Sequence, residues 1–356
     1  MKDKLDIIKS SLEQNEAFLI TGEANRFYLT GFKSSAGAVM ITREKALLFA
    51  DFRYFEKARQ MQKAFEVVML TSLVKQIKTF CEDNGVKTVY TDTSVLPVSE
   101  FKAFSKALEG IFLSDENKAD KLLNEMRSVK SAEEIKRIKE AQRLTDETFS
   151  YIINQKLCGK SERDIMLDME FYMRKAGSEG VAFDFIVVSG KNSSLPHGVP
   201  TDKRAEQGDF ITMDFGAVVD GYRSDMTRTV ALGSVSEDKK YVYDTVLKAQ
   251  HAAIAEIKSG AVCSDIDKIA RDIINDAGFK GCFGHALGHS VGIDIHESPV
   301  FSPKCETVLK SSTVITVEPG IYIENKFGVR IEDMVVVNEN GCIDITGSPS
   351  GLIYCE

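Results

Sequence analysis

The sequence predicts two domains of different class, an α/β domain first and an α+β domain after it. Its 356 residues allow about two domains at roughly 150 residues each. Short apolar runs alternate with amphipathic stretches over the first hundred residues or so, the pattern of a layered α/β unit. Further on, long helices and strand runs follow one another without that alternation, which suggests an antiparallel sheet with helices on one face.

The chain opens with MKDKLDIIKSSLEQNEAF, a charged amphipathic stretch without the apolar region and small-residue cleavage site of a secretory signal. Residues 17–22, 38–42, 46–51, 65–70 and 87–92 read as strands. Between them, residues 54–65, 72–85 and 99–110 carry apolar side chains at helical spacing, and the last two stretches end at Gly85 and Gly110, as helix termini often do. No phosphate-cradling glycine pattern follows any of these strands, so this half gives no support to nucleotide binding. From about residue 115 the sequence is polar and helical. Ser131 followed by Glu134 forms a capping box, and the domain boundary is expected at 125, giving domains 1–125 and 126–356. Helices are then expected over 161–177, 238–260 and 264–278, with strand runs in DFITMDFGAVV, YRSDMTRTVAL, TVITVEP and IEDMVVV. No repeat of 20 to 50 residues and no low-complexity tract is visible.

Composition excludes several classes. Apolar residues make up 43% and charged residues 28%, which fits a soluble globular protein and neither a disordered nor a collagen-like chain. No apolar window of about 18 residues is long enough to span a bilayer, so no membrane partner and a cytoplasmic location are expected. The net charge is −8 with both signs interspersed, which leaves no basic stripe for nucleic acid. Seven scattered cysteines without a C-x-x-C pair read as reduced thiols, most simply as small core residues.

Chemistry concentrates in the second half, which holds all five histidines within one hundred residues, with His251 in a helix-like stretch. Asp214 lies in ITMDFGAVV and Asp225 in YRSDMTRTV, with the Asp220-Gly221 pair between them as a hairpin signal. A fold-back there places the two carboxylates diagonally on neighbouring strands. Buried that close, they must share a proton, hold a cation or meet water; a solvent-exposed hairpin face explains the pair equally well. In GCFGHALGHSVGIDIHESP, His285, His289 and His296 alternate with glycines. Ala286 stands where the H-E-x-x-H helix needs its glutamate, and three glycines in nine residues disfavour a helix, so a glycine-rich turn presenting imidazoles is expected instead. Glu318 closes TVITVEPG with no charged neighbour and reads as a ligand. Glu332 opens IEDMVVV, where an ion pair with Arg330 is the plainer explanation. Four carboxylates and one imidazole, from Asp214, Asp225, His289, Glu318 and Glu332, suit two hard or borderline dications such as Mn²⁺, Co²⁺ or Zn²⁺, and such paired ions support hydrolysis.

This ordered set, in the contexts MDFGAVVDGYRSDMTRT, HALGHSVGIDIHE, VEPG and RIED, resembles the dinuclear-metal peptidases of the pita-bread fold. The N-terminal stretches NRFYLTGFKSSAGAVMIT and LLFADFRYFEKA resemble the proline-specific branch, aminopeptidase P and prolidase, so that the likeness covers nearly the whole chain. It implies a creatinase/prolidase-like N-terminal domain before a pita-bread catalytic domain. It further implies two divalent ions, Mn²⁺ in first place, with Asp214 chelating one, Asp225 and Glu332 bridging both, and His289 and Glu318 completing the other. Glu318 would also shuttle protons, and His296 and His197 would steady the substrate carbonyl. His285 and Arg330 would line the substrate site, and Phe183 falls where an aromatic residue often lies near the bound peptide, although core packing explains it as well. The resemblance implies a homodimer acting on peptides with proline in second position. HESPVFSPKCETVLK contains Lys304 and Lys310 but not the arginine that several strict dipeptidases have there. This favours removal of the first residue from longer peptides, with an Xaa-Pro dipeptidase as the alternative. A methionine aminopeptidase shares the ligands but usually lacks the N-terminal domain, and the metal-free or non-catalytic relatives have lost ligands that this chain retains.

Overall fold

The computed structural model describes Lys2–Glu356 and divides into two compact units, Met1–Arg127 and Ser128–Glu356. In the first, α1 (Lys2–Ser10), β1 (Glu16–Ile20), α2 (Glu23–Thr30), β2 (Ala38–Thr42), β3 (Ala46–Ala50), α3 (Phe52–Met61), β4 (Glu66–Met69), α4 (Leu73–Asp83), β5 (Thr88–Thr91), α5 (Val98–Ala107), β6 (Phe112–Ser114) and α6 (Lys118–Ser128) follow in order. The strands form one sheet, β4-β3-β2-β1-β5-β6, antiparallel at β1–β2 and β2–β3 and parallel elsewhere. The runs 38–42 and 46–50 are buried at every position, which explains why they read as continuous apolar stretches rather than alternating ones. Two elements have no counterpart in the sequence reading. Helix α2 is short, and Gly31, left-handed at φ 65°, closes it; β6 has three residues, too few for a periodicity to register.

The second unit begins with α7 (Ala132–Ile153) and α8 (Glu162–Lys175), each started by a complete capping box, Ser131 with Glu134 and Ser161 with Asp164. Then come β7 (Ile186–Ser189), β8 (Phe210–Phe215), β9 (Val218–Val219), β10 (Tyr222–Arg223), β11 (Met226–Leu232), α9 (Glu237–Glu256), α10 (Cys263–Ile274), β12 (Gly288–Ser290), β13 (Glu297–Phe301), β14 (Val314–Val317), β15 (Gly320–Ile323), β16 (Phe327–Arg330), β17 (Asp333–Val337), β18 (Cys342–Asp344) and β19 (Tyr354–Cys355). The single antiparallel sheet expected from the sequence is two larger sheets, β19-β11-β8-β7 and β13-β12-β14-β17-β18, with two small hairpins.

Each larger sheet has its own core. Ile152, Ile165, Met169 and Met173 of α7 and α8 pack with Val187, Ile211, Met213 and Val230 of the first sheet. Val246, Ala253, Ile266 and Ala270 of α9 and α10 pack with Ile315, Val317 and Val335 of the second. The unit is therefore built as two layers, each a helix pair on a sheet. Among the described residues no helix is long and apolar enough to cross a membrane, and all seven cysteines are free.

Candidate active site

Strand register brings the carboxylates together. Asp214 on β8 pairs with Thr227 on β11, and Asp225 lies two residues before Thr227, diagonal to Asp214. The turn between them has Asp220 at φ 48° and Gly221 at φ 80°, the two positive values that a two-residue hairpin turn requires. In the second sheet Val317 pairs with Asp333, so the next antiparallel step sets Glu318 opposite Glu332. The Glu332 amide donates to the Thr227 carbonyl at 3.0 Å, and this joins the two layers at the site.

His289 sits in the middle of β12. Its amide donates to Thr316 Oγ1 at 3.0 Å and its Nδ1 faces the Ser290 carbonyl at 3.2 Å, which leaves Nε2 directed at the acids. That atom lies 3.4 Å from Glu318 Oε1 and 3.6 Å from Asp225 Oδ2. One ligand atom each from Asp225, His289 and Glu332 fall within 4.8 Å of one another. Gly288 makes this approach possible, because a Cβ there would stand 2.0 Å from the Thr316 carbonyl oxygen. Ala286 fits the turn without strain, since it is not among the described residues with left-handed backbone.

Electrostatics mark the cluster as a set of buried acids suited to a cation. Burial, then the charge of Asp214 and Glu318, pushes the Asp225 carboxyl well up. Burial and the facing Asp225 do the same to Glu332. Glu318 is pushed up to about 8, by burial first and by Asp214. His289 is pushed down to about 4 by burial and by His296, whose ring centroid is 4.4 Å away, and His285 likewise to about 4 by burial and Arg330. Neutral imidazoles with carboxylates of this basicity are good ligands for a hard cation. Asp214 Oδ1 is buried without a hydrogen-bond partner in the structure, an orphan acceptor of the kind that a dication satisfies. The residues present therefore fit a metal centre.

Arg330 does not pair with Glu332, contrary to the ion pair expected from their spacing. Its Nη2 donates to Asp214 Oδ2 at 2.7 Å, its Nη1 to Tyr322 Oη at 2.8 Å and to the Pro196 carbonyl at 3.1 Å, and its Nε to Thr227 Oγ1 at 3.0 Å. The reason is that Arg330 ends β16 whereas Glu332 lies past it, just before β17, so the two-residue rule for one strand does not apply. Glu332 accepts instead from Thr227 Oγ1 at 2.8 Å. His285 Nε2 meets Tyr322 Oη at 2.9 Å. His197 is exposed, in the loop whose Pro196 touches Arg330, and close enough to His285 for its charge to depress that ring further. His296 is exposed beside His289. Phe183 is half-buried ahead of β7, next to Ala182, whose amide donates to the Gly216 carbonyl.

Four residues of the site escaped the sequence reading. Thr227, Thr316 and Tyr322 bond the residues named above, and Thr316 Oγ1 also donates to Glu318 Oε1 at 3.4 Å. Arg228, 1% exposed, donates to the Glu332 carbonyl at 2.6 Å and to Asp333 Oδ1 at 2.5 Å. Counting by two along the strands from Asp225 and Glu318 reaches both threonines; Tyr322 and Arg228 carry no comparable signal.

Comparison with known proteins decides the family. Residues 136–339 match the metallopeptidase family M24, and residues 11–129 match the creatinase/prolidase N-terminal domain. The chain belongs to metallopeptidase family M24. It is 36% identical over 356 residues to a protein from Pyrococcus horikoshii named Xaa-Pro dipeptidase, covering 99% of each. Among solved structures it is similar to an Xaa-Pro dipeptidase from Bacillus anthracis, with a TM-score of 0.94, 36% identity and 99% of each chain covered. It is also similar to an X-Pro aminopeptidase from Thermotoga maritima, with a TM-score of 0.90, 36% identity, and 98% of this chain and 99% of that one covered. Within the M24 family the second unit is a pita-bread catalytic domain.

Proposed function

We propose that this M24 chain hydrolyses the peptide bond preceding a proline in second position, with two divalent cations, Mn²⁺ in first place and Co²⁺ or Zn²⁺ as substitutes. The observation that carries the reading is the convergence of Asp225, His289 and Glu332 within 4.8 Å, with Glu318 against His289 and the unsatisfied Asp214 Oδ1 in the same polar network. Asp214, Asp225, His289, Glu318 and Glu332 would hold the ions. Bound there, the ions would offset the buried negative charge and acidify a water for attack on the carbonyl.

The protein's own groups do the rest. Glu318, in reach of His289 and Thr316, takes a proton on its carboxylate and delivers it to the departing proline nitrogen. His296 and His197, both exposed at the site, donate hydrogen bonds to the carbonyl oxygen as negative charge builds on it. Arg330 holds Asp214 in place, and Tyr322 fixes His285 for substrate contact. Phe183 is assigned a contact with the bound peptide only on the resemblance.

An aminopeptidase accepting longer peptides is favoured by two facts. The stretch 297–310 lacks an arginine, and Arg330 is spent on Asp214, Tyr322 and Pro196, so neither offers a fork for the carboxylate of a dipeptide. The dipeptidase reading is favoured by the names of the relatives from Pyrococcus and Bacillus. Stripping the protein with a chelator, restoring Mn²⁺, Co²⁺ or Zn²⁺ singly and assaying Xaa-Pro dipeptides, Xaa-Pro tripeptides and Met-Ala peptides separates these. Metal-dependent release of the first residue from Xaa-Pro peptides supports the proposal. Faster cleavage of Met-Ala peptides overturns it, as does a protein that binds no metal and hydrolyses nothing. Light scattering on the same sample tests the homodimer.

A further inference from the structure

Glu162 is the first residue of α8, fully buried, and the chemistry just described makes no use of it. Its carboxylate is saturated by the two ends of one loop. Oε1 accepts from the Ser189 amide at 2.7 Å, from Ser189 Oγ at 3.0 Å and from Asn192 Nδ2 at 3.1 Å. Oε2 accepts from the Thr201 amide at 3.0 Å and from Thr201 Oγ1 at 2.6 Å. Ser189 ends β7 and Thr201 lies on the way to β8, so the segment between them is a loop whose two ends this side chain ties together. The helix start needs no such group, because Ser161 and Asp164 already cap it.

This loop carries His197. Leu195 is 56% exposed and Val199 is 76% exposed, so burial of these two apolar side chains contributes little to its shape. Its other ties include hydrogen bonds from Arg330 to the Pro196 carbonyl, from the Gly328 amide to Ser193 Oγ, from the Arg163 amide to the Thr201 carbonyl and from Lys203 Nζ to Ser189 Oγ. A buried carboxylate costs several kcal/mol to desolvate unless it is fully hydrogen-bonded, and here its donors come from both ends of the loop. We infer that Glu162 is a positioning residue, a clasp that holds the 190–201 loop so that His197 is presented to the substrate. The kinetic part of this inference rests on the proposed peptidase reading; the clasp itself does not.

The isosteric change Glu162→Gln puts an amide nitrogen, a donor, against either the Ser189 or the Thr201 amide, so one end of the loop is released while volume is kept. Hydrogen exchange of the 190–201 amides is expected to speed up by about tenfold or more in Glu162→Gln, with protection elsewhere and the Mn²⁺-induced rise in Tm unchanged. Turnover is expected to fall by about tenfold in kcat/KM in the otherwise unaltered protein, but less than about twofold when His197→Ala is already present. Thr201→Val is expected to reproduce part of both effects and Thr201→Ser neither; this pair carries the test if Glu162→Gln does not fold. Unchanged exchange of the loop overturns the inference, as does an equal loss of kcat/KM in both backgrounds. If the unaltered protein cleaves no Xaa-Pro peptide, the peptidase reading fails, and the exchange comparison still decides the clasp.

Discussion

Glu318→Gln separates what the site needs for chemistry from what the fold alone would prefer. With its carboxyl pushed up to about 8 by burial and Asp214, Glu318 binds a proton far more tightly in the folded than in the unfolded chain, where about 4.3 is usual for a glutamate. The folded state therefore holds the extra proton between those values, and the contribution of Glu318 to stability is fully present below about 4.3 and lost as the pH rises towards 8. At pH 7.5 the metal-free protein carries a penalty of up to about 4 kcal/mol from this group, at about 1.4 kcal/mol per pKa unit. Glutamine has the same shape, can still accept from Thr316 Oγ1, and does not titrate. In chelator at pH 7.5, urea denaturation is expected to show Glu318→Gln more stable than the parent by about 2 to 4 kcal/mol, and at pH 5 by much less. Mn²⁺ should then stabilise the parent strongly and the variant weakly, with peptide hydrolysis lost from the variant by a factor of about a hundred or more. A variant less stable than the parent at pH 7.5 without metal would refute the picture of Glu318 held against like charges.

Arg228→Met strands the buried Asp333 and frees the Glu332 carbonyl, so it is expected to cost about 3 to 5 kcal/mol in denaturant titrations, with Arg228→Lys between the two. Gly288→Ala forces a methyl into the Thr316 carbonyl and should shift His289; loss of the Mn²⁺-induced rise in Tm, larger than the loss of stability in chelator, is the expected result. Ser131→Ala removes the hydroxyl of a complete capping box that touches none of the proposed ligands and should lower stability by about 1 kcal/mol while leaving kcat/KM unchanged.

The parts of the site that could be read from the sequence are those where a local physical rule overrides context. Asp220-Gly221 dictates a hairpin, and the hairpin dictates that Asp214 and Asp225 come onto paired strands. The polar intruders Glu318 and Glu332 are conspicuous because their strands are otherwise apolar, and Ala286 with its flanking glycines rules out the zinc-helix alternative. The Arg330–Glu332 pair failed for a reason of the same kind: side-chain alternation holds only inside one strand, and the chain leaves β16 between them. What stayed hidden depends on distant register. Nothing near Arg228 in the sequence indicates that its guanidinium lies under Glu332, 104 residues on, and nothing near Glu162 points to Thr201. Both are charged residues in helix-like or strand-like settings where solvent exposure is the ordinary expectation, and only tertiary pairing makes them interior. The same holds for the two-sheet architecture, since whether strands 288–344 continue the first sheet or start another is set by which cores α7–α8 and α9–α10 cover. Local patterning thus determines which side chains can act, whereas the junction of the two layers, through Glu332 and Thr227, determines that they act on one point in space.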